Sequence, residues 1–252
     1  MNCETLTCDI NLLESAQQVE GFYAECVRLV IESEISEEEK EAWIQRMYSV
    51  ANTILKKGIE QLNFFSLAVS TIMCSTISLP EKRKWIVHIE SKTLPFLDQE
   101  GGKENFYAMC MVRVWSSSLS DAHKKYWSTY LQEQALSSMK RSGQKENFYS
   151  MICTMLIHSS LSTEDTMRYL NEICTSLHAV EIEERQHILS YCVVRIARNP
   201  DACSHIRMVM AHSPDVLDLK KRSEDLIFDL FLGEKALEIL SILQSCYTKS
   251  GM

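Results

Sequence analysis

KENFYAM at residues 103–109 and KENFYSM at residues 145–151 stand 42 residues apart, and the reading of this pair decides the fold. One step of 42 back from Phe106-Tyr107 reaches Phe64-Phe65, and a second reaches Phe22-Tyr23; with Phe148-Tyr149, four copies carry an aromatic pair. Serine keeps the same step at Ser33, Ser75, Ser117 and Ser159, and again at Ser36, Ser78, Ser120 and Ser162. Ile35, Ile77, Leu119 and Leu161 precede the second serine, and Trp43, Trp85, Trp127 and Tyr169 follow it by seven residues. Several columns sharing one gapless step mark an internal repeat, which has to be read before any motif.

Each column has a physical reading. The aromatic pair opens a helix A, whose apolar face continues as Cys26 and Val30, Ala68 and Ile72, Cys110 and Val114, and Ile152 and Leu156. Helix A stops near the first serine. The second serine is placed to N-cap a helix B, with an acid three residues on in three copies (Glu39, Glu81, Asp165); His123 breaks that capping box in the third. Pro80 falls in a first turn, where a missing N–H costs nothing. Met47, Ile89, Leu131 and Ile173 extend the face of the Trp/Tyr column. Gly58, Gly101 with Gly102, and Gly143 sit where a left-handed closing residue is needed. Two helices of about fifteen residues and two short turns fill the period.

A lone hairpin cannot bury both of its stripes, so neighbours must stack. The expected arrangement is one domain over residues 1–252, with repeats at about 17–58, 59–100, 101–142, 143–179 and 180–213. The fifth copy is degraded: Ile188, Tyr191 and Cys192 resume the stripe, and Asn199-Pro200-Asp201 starts a further helix. A closing helical pair then occupies 214–248, split by Gly233. Paired helices of this period resemble the HEAT and armadillo class of α-solenoids over roughly residues 17–210. The tetratricopeptide pattern, with its shorter period, is missing. The resemblance implies an all-α fold: a right-handed α-solenoid of stacked two-helix hairpins with a helical C-terminal cap and an extended binding surface. Many such proteins are adaptors or scaffolds.

Composition agrees with a helical, self-sufficient core. Only 7 Gly and 4 Pro interrupt 252 residues, so strands should be nearly absent, and 46% apolar residues suffice without cross-links. The net charge of −8 argues against a general nucleic-acid binder, and residues 1–60 carry 5 basic against 12 acidic side chains, nearly all of that excess. No run approaches the roughly 18 apolar residues of a membrane span, and MNCETLTCDINLL lacks the basic and apolar regions of a secretory signal. Ten Cys without a CxxC spacing favour free thiols in a reducing compartment, hence a cytoplasmic protein.

No P-loop, G-x-G-x-x-G, G-x-S-x-G or H-E-x-x-H occurs. Glu184-x-x-His187 has di-iron spacing but no second copy, and Cys174, His178, Cys203 and His205 do not assemble four zinc ligands by spacing. A catalytic serine is needed once and a cap in every repeat, so the recurrent serines read as caps. No catalytic, cofactor-binding or metal residue is assigned. Twelve Met read as gap-fillers between repeats, or as part of an adaptable groove.

One surface column stands out: Lys40, Lys82 and Lys124, with Arg46, His88 and Tyr130 a turn further on. Stacked, it would form a ridge for an acidic peptide or lipid headgroup, or simply a solvated face. The acidic first unit, from Glu32 to Glu41, would suit a basic partner or act as a solubilising cap. These features point to a non-enzymatic protein–protein interaction module: an adaptor, scaffold or chaperone-like protein whose partner is another protein or peptide. A bacterial effector working in a host cytosol is one setting for it. The alternative is an enzyme on a HEAT-like scaffold, as in certain DNA glycosylases, which the acidic charge disfavours.

Overall fold

Serine side chains mark both kinds of helix end. Ser33, Ser75, Ser117 and Ser159 each donate a hydroxyl to the carbonyl three residues back, at Val30, Ile72, Val114 and Leu156. The bond occupies a carbonyl of the last turn; since Ser66, Ser70 and Ser150 make the same bond within continuing helices, it marks these ends without causing them. Three residues on, the next helix is capped. Ser36 and Ser162 accept the N–H of Glu39 and Asp165 at 3.3 and 3.0 Å. The Glu39 and Glu81 carboxylates in turn accept the backbone N–H of Ser36 and Ser78, each at 3.0 Å. In the third copy His123 Nδ1 lies 3.0 Å from Ser120 Oγ, so an imidazole stands in for the acid and the box is only half broken.

The structure, a computed structural model, describes residues 16–55, 58–95, 97, 102–141 and 143–248. Among the described residues the fold is all-α, without strands. The helices are α1 (Ala16–Glu32), α2 (Glu37–Ile54), α3 (Gly58–Cys74), α4 (Leu79–Thr93), α5 (Gly102–Trp115), α6 (Asp121–Ser138), α7 (Gln144–Ile157), α8 (Thr163–Ser176), α9 (Ile182–Ile196), α10 (Cys203–Met210), α11 (Val216–Leu230) and α12 (Glu234–Thr248). A 3-10 turn covers Leu177–Ala179. Trp43, Trp85, Trp127 and Tyr169 are each the seventh residue of their helix.

The aromatic pairs sit one to two turns inside their helices rather than opening them, since α3 begins at Gly58 and α5 at Gly102. Gly58 and Gly102 are thus helix-opening residues, not left-handed closures. At Gly102 the reason is space, because a Cβ there would lie 2.6 Å from the Leu97 carbonyl oxygen. Gly143 and Gly233 do have positive φ, 83° and 60°, and they turn the chain into α7 and α12. Gly101 lies outside the described residues.

The chain divides into two compact units, Met1–Gln132 and Glu133–Met252, with the boundary inside α6. In the first, α1 packs on α3 and α3 on α5, while α2 and α4 lie against their own partners α1 and α3. In the second, α7 packs on α9 and α9 on α11, and α10 packs against both α8 and α12. Phe64, Phe65, Phe106, Tyr107, Phe148 and Tyr149 are fully buried, each adjacent pair meeting at ring centroids 5.0–5.2 Å apart.

Cysteine chemistry departs from the spacing argument. Cys203 of α10 and Cys246 of α12 form a disulfide, with Cα atoms 5.4 Å apart across a separation of 43 residues. The expectation of free thiols throughout is corrected at these two positions. A reading based on short spacings misses partners brought together by helix packing. Cys26, Cys74, Cys110, Cys153, Cys174 and Cys192 are free; Cys3 and Cys8 lie outside the described residues.

Candidate functional site

A lysine on the outer edge of a helix can turn its amine to solvent or back to a nearby helix end. Lys82 and Lys124 turn back. Lys82 Nζ donates to the Met73 carbonyl at 2.9 Å, and Lys124 Nζ to the Trp115 carbonyl at 2.8 Å. Those carbonyls belong to the last turns of α3 and α5, where unpaired oxygens and the helix dipole favour a cation. Burial pushes the Lys82 ammonium below its ordinary range. Lys40 is buried too, but its amine lies 3.7 Å from Glu37 of its own helix.

Arg46, His88 and Tyr130 share a column yet have three environments. Tyr130 is buried, and its hydroxyl donates to Glu90 Oε2 of α4 at 3.2 Å. His88 is half-buried, and burial lowers its pKa against an opposing pull from Glu41 of α2. Arg46 is exposed, with its guanidinium 6.0 Å from the Trp43 ring centre. The column therefore faces the preceding helix B, and only its first member is left open. The six residues are not gathered into a single ridge.

Glu90 is the strongest electrostatic feature of the first unit. Its side chain is buried beside Tyr107 and Tyr130, and Oε1 has no hydrogen-bond partner. Burial pushes its pKa up to about 7, although the two hydroxyls pull it down. It joins α4 to α6 as a polar pin inside the core.

A groove runs along the outer side of the first helix pair. Cys26, Leu29, Val30 and Ser33 supply one stripe of α1, at the i, i+3, i+4, i+7 spacing of a single helix face. Ile35 and then Trp43 and Met47 of α2 close the other side of a cavity of about 360 Å³. Leu29 is 46% and Ile35 36% exposed. Of the matching positions one and two steps on, Ile72, Trp85 and Ile89, then Val114, Trp127 and Leu131, are buried, while Thr71 and Ile77, then Arg113 and Leu119, are half-buried. In these later pairs α3 packs on α1 and α5 on α3. Arg113, two steps on from Leu29, reaches Ser66 of α3 at 3.1 Å. In the first pair Leu29 and Ile35 are exposed and Val30 and Trp43 half-buried, over a floor of buried Cys26 and Met47.

Acidic side chains border this groove. Arg28 is held by Glu25 and Glu32, and Glu37 by Lys84. Glu34, Glu38 and Glu41 are exposed and form no ion pair among the described residues. An apolar channel with an acidic border therefore sits at the most acidic part of the chain. The sequence carried a signal for it: Cys26, Leu29, Val30 and Ser33 continue the apolar stripe that recurs in the later copies.

The histidines and cysteines weighed as ligands go elsewhere. Cys203 is bonded to Cys246, Glu184 pairs with Lys145 at 2.7 Å, and His187 faces Glu146 at 3.6 Å. His178 Nε2 lies 3.2 Å from His212 Nδ1, and His212 Nε2 lies 3.0 Å from Asn171 Oδ1. Burial and then the neighbouring His178 keep the His212 pKa low. Among the described residues no group of three or more His, Cys, Asp or Glu side chains could hold a metal ion, and no helix is long and apolar enough to cross a membrane. Comparison with protein-family models, curated proteins and solved structures finds no match to this chain.

Proposed function

We propose that the chain is a non-enzymatic protein–protein interaction module, built of HEAT-like α-solenoid repeats, whose first helix pair receives a basic amphipathic helix of another protein. The supporting observation is the open α1–α2 groove, where Val30 and Trp43 are half-buried although their equivalents Ile72 and Trp85, then Val114 and Trp127, are fully buried. A partner helix with apolar residues at i, i+3 or i+4, and i+7 would fill the place that a preceding helix takes in those pairs. Lysines or arginines on its flanks would meet Glu34, Glu38 and Glu41, which steers encounter and selects orientation.

Trp43 makes the test direct, because the other three tryptophans, Trp85, Trp115 and Trp127, are only 1% exposed. Iodide quenching of tryptophan emission thus reports mainly on the groove. A synthetic amphipathic helix with a leucine stripe and lysine flanks should bind with micromolar affinity and protect Trp43 from iodide, and Leu29→Asp should abolish both effects. Equal binding by the same peptide with glutamate flanks, or binding that leaves Trp43 quenching unchanged, overturns the proposal.

A further inference from the structure

The second unit contains a cavity of the opposite character. Thr154 and His158 at the end of α7, Arg195 and Arg198 at the end of α9, and Lys235, Glu238, Ile239 and Ile242 of α12 line a space of about 320 Å³. Three permanent cations face it against one carboxylate, in a chain whose net charge is −8. None of Arg195, Arg198 and Lys235 forms an ion pair among the described residues. Such clustering is costly without a counter-charge, because like charges in a concave site raise one another's energy. Helix-end electrostatics account for part of it: Arg195 stands in the last turn of α9, where a cation is favoured. They do not account for Lys235, which stands in the first turn of α12, the end where a cation is disfavoured.

From this cavity we infer a binding site for a phosphate monoester, independent of the α1–α2 groove. Two guanidinium groups offer forked donors that match phosphate oxygens, and Lys235 adds a point charge suited to a dianion. The space exceeds that needed by phosphate alone. Ile239 and Ile242 give it an apolar wall, and Thr154 and His158 a polar one, so a small organic group carrying the phosphate fits better than the bare ion. Glu238 opposes any anion and sets the selectivity, since its carboxylate can accept a hydroxyl of the organic part. The Cys203–Cys246 bond lies one turn beyond Ile242 on α12 and fixes that wall to α10.

The same chemistry is offered by a soluble metabolite and by a lipid headgroup. Calorimetry with glycerol phosphate and with inorganic phosphate, together with sedimentation on phosphatidylcholine vesicles containing phosphatidylinositol phosphate, separates these sources. Binding of glycerol phosphate above inorganic phosphate assigns a soluble ligand, and vesicle binding without it assigns the headgroup. Arg195→Ala and Arg198→Ala should each weaken the bound probe on the order of tenfold. Glu238→Gln should tighten it several-fold, a gain that a misfolded variant cannot mimic. Failure of the wild-type chain to bind any probe at millimolar concentration, or a Glu238→Gln variant that binds no better, overturns the inference.

Discussion

The first and second helix pairs carry the same residues in the same register and use them differently. Trp43 and Trp85 are both the seventh residue of their helices, but Trp85 is 1% exposed while Trp43 borders an open groove. Lys40 and Lys82 share a column, yet only Lys82 reaches a main-chain carbonyl of the helix before it. The lysine difference arises inside each pair, since Met73 and Lys82 belong to the same one, whereas the indole difference lies on the face turned to a neighbouring pair. In a repeat array the residue type prescribes a stripe, and packing against neighbours determines how far that stripe is buried.

The largest test of this contrast is truncation of the two indoles. Trp85→Ala should cost roughly 3–5 kcal/mol by emptying a closed core site. Trp43→Ala should cost about 1 kcal/mol or less, as at other partly open positions. Urea unfolding midpoints of the two variants measure the difference, and equal losses would erase the distinction between the pairs.

Next comes the polar pin, which the first pair lacks. Burial pushes the Glu90 carboxyl up to about 7 in the folded chain, from the ordinary value of 4.5. Its folded pKa is raised, so its contribution to stability is full below pH 4.5 and is lost as pH rises to about 7. A shift of that size corresponds to roughly 3 kcal/mol. Glu90→Gln should flatten the midpoint-against-pH curve over this window and exceed the wild type in stability above it. A wild-type curve already flat between these values removes the pin.

The smallest effect separates the lysines. Lys82→Met keeps the stem but frees the Met73 carbonyl, and should cost about 1 kcal/mol. Lys40→Met, which breaks only a 3.7 Å contact within its own helix, should shift the midpoint much less. Matching shifts would mean that the capping bond adds nothing.

Helix ends are legible in the sequence because their signals are local. Ser36 and Glu39 make their reciprocal bonds three residues apart, and Ser75, just past the end of α3, reaches only to Ile72. Side-chain direction is not local. The sequence places Lys124 in a column, but whether its amine turns outward or back to Trp115 depends on where α5 ends. Glu90 and Tyr130 meet across 40 residues, and Arg198 and Lys235 come together only when α9 and α12 are in place. No motif joins them. The groove lies between these cases: its residues belong to a visible stripe, but the exposure of Leu29 and Ile35 is read only from the packed helices.

The covalent tie between α10 and α12 carries a mechanical consequence. Arrays of stacked helices unravel from an end under tension, one hairpin at a time. A pull applied at the C-terminus would unwind the chain beyond Cys246 and then meet a crosslink whose load passes directly to α10. The loop enclosed by the 43-residue separation would give no extension until the sulfur–sulfur bond is cut. The last three helices thus resist traction as one block, and a reductant would act as the catch that releases them.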